Sequence, residues 1–200
     1  MKTINDDKKM RMITLMIAAT AAMALTAGCG QNNKKNKENT DEQDSKTLVA
    51  YFSATGTTAA VAKTLASVTD ATLYEIKPEV KYTAEDLDWT VKTSRTTLEM
   101  QDKSSRPAIV KDLEDVSKYE TVFIGFPVWW YTAPTIINTF LEAYDFSGKT
   151  VIFFATSGGS TLDNANEQFK AAYPAINWKA GQTLNGASEE DIKAWVASLQ

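Results

Sequence analysis

The sequence contains no histidine and a single cysteine, Cys29, in 200 residues. Without histidine there is no imidazole base, no imidazole metal ligand, and no Ser-His or Cys-His pair. One cysteine excludes an internal disulfide, a Cys-x-x-Cys redox pair and a zinc knuckle. Any redox chemistry must therefore be carried by a bound cofactor. An excess of positive charge is lacking too. The 21 Lys and Arg against 25 Asp and Glu give a net charge of -4, which offers no basic field to a nucleic acid. What remains, 44% hydrophobic and 23% charged, suits one globular domain with enough chain to bury a core.

The N-terminus differs from the rest. Lys2, Lys8, Lys9 and Arg11 make a basic start, and residues 12–27 are nearly all apolar or small. That run falls short of the ~20 residues that span a bilayer, so residues 1–28 read as a signal peptide. The segment ends Leu25-Thr26-Ala27-Gly28-Cys29. It resembles a bacterial lipoprotein signal, with Cys29 as the lipidated first residue of the mature chain. An ordinary secreted protein is the competing explanation, and the position of the only cysteine speaks against it. The chain is thus expected to be exported and lipid-anchored to the cell membrane on its extracytoplasmic face.

Residues 30–46 hold no aliphatic side chain, so 29–46 is expected to be a disordered tether. Removing a leader with four basic and two acidic residues takes the net charge from -4 to -6. The tether's charges cancel, so the acidity falls on the domain, residues 47–200. An acidic surface suits docking to a basic redox partner. Simple solubility explains it equally well.

The domain alternates strand and helix. Thr47–Phe52, Ala71–Ile76, Thr121–Phe126 and Thr150–Ala155 read as strands, three of them near-continuous apolar runs, and Ile176–Trp178 as a weak last one. Helical spacing follows at Val61, Leu65 and Val68, at Ile136, Ile137, Phe140 and Leu141 after Pro134, and at Leu162, Ala165, Phe169 and Ala172. Ser188 is placed to cap a last helix over Ile192, Trp195, Val196 and Leu199. Leu113–Tyr119 reads as a short helix, and 79–107 as a short helix plus loop. The pattern predicts an α/β domain of three layers, α-β-α, around a five-stranded, mostly parallel sheet. Ligands bind such sheets beyond the carboxyl ends of the strands.

Three loops follow strands there. Ser53-Ala54-Thr55-Gly56-Thr57-Thr58 offers backbone N–H groups, hydroxyls and a helix N-terminus, which suit a phosphate. It lacks the Lys of a nucleotide-triphosphate loop and the G-x-G-x-x-G of a dinucleotide site. A neutral loop of this kind fits a monophosphate; a helix cap without a ligand is the alternative. Pro127-Val128-Trp129-Trp130-Tyr131 places three adjacent aromatics after a strand, which cannot all point inward. At least one ring is a candidate platform for a flat heterocycle, the alternative being packing under the next helix. Thr156-Ser157-Gly158-Gly159-Ser160 exposes amides that could line a polar ring edge, or is a plain turn. Together the loops match FMN: one phosphate, a ribityl chain and a flat ring system.

At these residues the sequence resembles the flavodoxin family. Ser53–Thr58 is similar to its [ST]-x-T-G-x-T phosphate loop, and Gly125–Trp130 and Thr156–Ser160 resemble the loops flanking the flavin. The resemblance implies a sheet of order 2-1-3-4-5, non-covalent FMN and one-electron transfer. It assigns the phosphate to Ser53, Ala54, Thr55, Gly56, Thr57 and Thr58. The ring falls to Pro127, Val128, Trp129, Trp130 and Tyr131, and the amide role to Thr156, Ser157, Gly158 and Gly159. The third loop lacks the Tyr often stacked on the outer flavin face in long-known flavodoxins, which leaves that face open or covered by Trp129 or Trp130.

The expected function is electron transfer through FMN, with no catalytic side chain and no metal. An FMN-dependent reductase of quinones using NAD(P)H is the enzymatic alternative. A lipoprotein binding some other ligand and a surface interaction module are the non-redox ones. Asp86, Asp88, Trp89, Arg95 and Arg106, all in the 79–107 stretch, are read as structural, the alternative being that they cover the flavin or bind a partner.

Overall fold

The structure, a computed structural model, describes residues 45–199. Cys29, the signal segment and most of the tether lie outside the described residues. Ser45 and Lys46 belong to the domain edge: the Lys46 carbonyl accepts from the Glu120 and Thr121 amides at 2.8 and 3.3 Å.

Five strands form one parallel sheet: β1 (Thr47–Tyr51), β2 (Thr72–Glu75), β3 (Thr121–Pro127), β4 (Thr150–Thr156) and β5 (Asn177–Thr183). Their order is β2-β1-β3-β4-β5. Alternation sorts their side chains onto two faces. Val49, Tyr51, Phe123, Ile152 and Phe154 pack under α1 (Thr57–Thr69) and α5 (Glu189–Ser198), which contribute Leu65, Ile192 and Trp195. Leu48, Ala50, Phe52, Val122, Ile124, Phe126 and Phe153 face α3 (Ile136–Ala143) and α4 (Asp163–Ala172), which contribute Ile137, Phe140 and Phe169. Central strands buried on both sides explain the unbroken apolar runs. Gly125 leaves room for the ring of its β4 neighbour Phe154, from which a Cβ there would sit 2.1 Å.

The structure departs from the sequence reading in two elements. Leu113–Tyr119 is not a helix. The Asp115 carboxylate accepts the Ser117 amide at 2.8 Å and the Tyr119 amide reaches Val116 O at 3.1 Å, a local turn that competes with helix. It buries Val116 and Tyr119. The last strand is longer than Ile176–Trp178. As an edge strand paired only with β4 it is largely exposed, so no apolar alternation marks it.

The segment between β2 and β3 forms a closed excursion. Glu79 N donates to Ala108 O and Val110 N to Lys77 O, both at 2.9 Å, across a Pro78–Ile109 bridge. It contains the short helix α2 (Arg95–Gln101), capped by Ser94. No described helix is long and apolar enough to cross a membrane.

Candidate functional site

The chain leaves β1 outward to β2 and returns to β3, so strand order reverses between β1 and β3. The three loops after β1, β3 and β4 therefore share the carboxyl end of the sheet's centre. Side chains and backbone join them. The buried Thr58 and Thr156 hydroxyls lie 2.8 Å apart, and the Val128 amide donates to Thr156 O at 2.8 Å.

In the first loop, Gly56 precedes α1 with φ 91°, a left-handed conformation that glycine adopts freely. No side chain caps α1, and no acidic residue stands in its first turn. The Thr57, Thr58 and Ala59 amides are thus left at the positive end of the helix dipole. The Thr55 and Thr57 hydroxyls, 3.4 Å apart and exposed, stand beside them. Ser53 and Thr58 are already engaged: the Ser53 hydroxyl accepts the Gly56 amide at 3.1 Å, and Thr58 faces Thr156. Ala54 is half-buried against the α3 face of the sheet. The exposed hydroxyls of this loop are those of Thr55 and Thr57, while the half-buried Ser53 hydroxyl, accepting from Gly56, keeps its own proton to donate.

The second loop is a tight hairpin. Trp129 and Thr132 exchange backbone bonds at 3.0 Å, with Trp130 and Tyr131 at the tip. Both tip residues are left-handed, φ 44° and 66°. A two-residue hairpin turn demands this, and side chains other than Asn, Asp or Gly adopt it at a cost of ~1–3 kcal/mol each. Helix α4 holds the tip from outside. The Asn164 amide nitrogen donates to Tyr131 O at 3.0 Å, Gln168 donates to Asn164 at 2.8 Å, and the Thr132 hydroxyl donates to Gln168 at 3.0 Å.

The three aromatics have separate fates. Trp129 is half-buried, edge-on to Phe52 and Tyr82 at 5.5 Å. Tyr82 is itself fixed: Arg95 lies 3.9 Å over its ring, and its hydroxyl donates to Glu99 at 2.7 Å. Burial, then the Glu99 carboxylate, push that hydroxyl's pKa far up, so it stays a donor. Trp130 and Tyr131 are exposed. Pro127 and Val128 lead into the hairpin, half-buried.

The third loop is more committed than its glycines suggest. The Ser157 amide donates to Asn185 Oδ1 at 2.7 Å, and Asn185 donates back to Ser157 O. The Ser157 hydroxyl accepts the Gly159 and Ser160 amides at 3.1 and 2.7 Å. The Gly158 amide is the donor left over. Thr156 holds the loop to α1 rather than facing out.

Two cavities flank the hairpin. One of about 390 Å³ is lined by Val128, Trp129, Trp130, Tyr131 and Ser160, with Leu87, Trp89 and Thr96 from the excursion. That volume lies in the range of small-molecule sites. The first loop does not line it. The other, a groove of about 920 Å³, runs between the end of α2 and helices α3 and α4. Met100, Lys103, Asn138 and Gln168 line it, and Trp130 borders both cavities.

Among the residues read as structural, four are so. Asp86 and Asp88 hold turns through Thr83 and Thr90, Arg95 pairs with Glu99 at 2.7 Å, and Arg106 with Glu142 at 2.8 Å. Trp89 is the exception, 73% exposed on the cavity rim. Among the described residues, no group of three His, Cys, Asp or Glu could hold a metal ion.

Comparison with known proteins agrees with this geometry. The chain is similar to crystal structures of candidate flavoproteins from Bacteroides uniformis and Bacteroides eggerthii. These are 57% and 50% identical, with TM-scores of 0.74 and 0.75; each covers 76% of this chain, and 97% and 96% of their own. A flavoprotein from Lactobacillus acidophilus, crystallised in complex with FMN, is 26% identical with a TM-score of 0.60, covering 76% of this chain and 99% of its own. No curated protein matches the sequence. The family model described as flavodoxin matches residues 46–199, and the chain belongs to the flavodoxin family.

Proposed function

We propose that this chain is an electron-transfer flavoprotein that holds FMN non-covalently and is anchored through lipidated Cys29 to the outer face of a cell membrane. Membership of the flavodoxin family and the FMN complex of the Lactobacillus acidophilus protein support FMN as the cofactor. Flavodoxins are themselves a standing example of a ligand bound where strand order reverses. The observation that carries the reading here is the α1 N-terminus: uncapped, free of acidic residues, and tied through Thr58 and Thr156 to the other two loops.

The residues present fit the cofactor. The Thr57, Thr58 and Ala59 amides, with the Thr55 and Thr57 hydroxyls, would hold the phosphate. Charge-assisted bonds of that kind are stronger than neutral ones. Trp129, Trp130 and Tyr131 would lie against the flat ring, and the Gly158 amide and Ser160 would meet its polar edge. FMN, when bound, supplies the redox chemistry. The chain, which has no histidine, supplies orientation, exclusion of water and electrostatics. The acidic mature chain would favour a basic partner. The lipid anchor rests on the sequence around Cys29.

Titrating the full chain in detergent with FMN tests the cofactor. One quenched flavin per chain is the expected result, and no binding at micromolar FMN overturns the reading. Mass analysis of chain extracted from membranes tests the anchor: a diacylated Cys29 is expected, with Cys29→Ser released in soluble form. A second reading, an FMN-dependent quinone reductase using NAD(P)H, is favoured by the 920 Å³ groove beside Trp130, which gives room for a second substrate. NAD(P)H consumption that depends on added quinone would decide for it.

A further inference from the structure

The excursion between β2 and β3 takes no part in the three-loop arrangement, yet it supplies one side of the cavity beside the aromatic hairpin. Leu87, Trp89 and Thr96 come from it. Trp89 is the largest of the three and is 73% exposed. An indole left in water forgoes the gain of burial. Among the described residues it has no aromatic partner either.

The backbone that presents it is well held. The Asp88 carboxylate accepts the Thr90 amide at 2.9 Å and the Thr90 hydroxyl at 2.5 Å, and Val91 N donates to Asp88 O at 3.1 Å. Beneath this turn, Asp86 O accepts both the amide and the hydroxyl of buried Thr96, at 3.1 and 2.7 Å. Polar bonds thus order the segment, while its largest apolar side chain stays out of the core.

The same cavity is lined by Val128, Trp129, Trp130 and Tyr131. The loop after β4 reads Thr156-Ser157-Gly158-Gly159-Ser160 and carries no aromatic. Among the residues lining the cavity, Trp89 is the one aromatic that lies outside the hairpin. We infer that Trp89 is a flavin-ring-binding residue, covering the face of the isoalloxazine turned away from the hairpin. This inference rests on the FMN reading above. It gives the excursion a role: to carry one aromatic wall to a site whose other wall is the β3–α3 hairpin. Both walls then act on the ring system and neither on the phosphate.

The test compares the full chain with Trp89→Ala and Trp89→Phe, each titrated with FMN and with lumiflavin, the ring system without ribityl phosphate. Flavin fluorescence gives the affinities. Because Trp89 is exposed, both variants should keep the wild-type urea midpoint. Trp89→Ala is expected to weaken FMN and lumiflavin alike, by about three- to tenfold, with Trp89→Phe retaining most of the affinity. Equal affinity of Trp89→Ala and wild type overturns the inference and leaves the FMN reading standing. A loss confined to FMN overturns it as well, by placing Trp89 at the phosphate end. Failure of the wild type to bind FMN overturns both.

Discussion

Helices α1 and α5 pack on the same face of the sheet, yet their N-termini are finished in opposite ways. At α5 the Ser188 hydroxyl accepts the Asp191 amide at 3.1 Å, and the Asp191 carboxylate accepts the Ser188 amide at 2.9 Å. Glu189, Glu190 and Asp191 then fill its first turn with negative charge. At α1 there is no side-chain cap and no carboxylate, only glycine, hydroxyls and bare amides. Both ends carry the same dipole and the same orphan N–H groups. At α5 the chain bonds the Asp191 amide itself and sets three carboxylates against the dipole. At α1 neither device is present, and under the FMN reading proposed above the phosphate would take their place.

The comparison can be broken most strongly by giving α1 the charge of α5. Thr57→Asp should weaken FMN binding about a hundredfold, since charge-assisted hydrogen bonds of ~1.5–3 kcal/mol each are set against a like charge. The same change should leave the empty chain as stable as before, or raise its stability by ~0.3–1 kcal/mol. Flavin titration and urea unfolding read the two effects. Undiminished affinity would mean that α1 does not hold the phosphate.

A smaller effect separates structural hydroxyls from ligand-facing ones. Thr58→Val strands the buried Thr156 hydroxyl and should cost ~1–3 kcal/mol of stability, most of it recovered in the Thr58→Val, Thr156→Val double variant. A double variant as weak as the single one would show that the pair is not what joins the loops.

The smallest effect lies at α5. Ser188→Ala removes the cap and should cost ~1 kcal/mol while leaving flavin affinity unchanged. It should also alter the response to acid. The Ser188 hydroxyl, then the Ser188 amide, hold the Asp191 carboxyl below the usual range. A carboxyl lowered on folding adds stability above its unfolded pKa, which is lost as pH falls through the lowered folded value. Urea midpoints measured down through the carboxylate range should therefore converge for wild type and variant at the acid end.

The sheet was legible because its central strands are buried on both faces and spell out apolar runs. The edge strand β5 was only half legible, since exposure removes the pattern. The turn at Asp115 to Tyr119 copied helical spacing without helical bonds. The three loops could be found because each follows a readable strand. Their internal wiring could not, because Thr58–Thr156 and Ser157–Asn185 join residues distant in sequence. Trp89 had a signal, an aromatic in a polar stretch, but only the cavity shows what it stands beside.

The hairpin tip at Trp130 and Tyr131 has its backbone shape imposed by Asn164 and Gln168 of another element. Those bonds run to main-chain atoms or to Thr132, so they are indifferent to which two side chains occupy the tip. The mould and the casting are separate. The contact surface at this end of the domain is thus open to redesign two residues at a time, and glycine or asparagine there would relax the turn without disturbing the helix that shapes it.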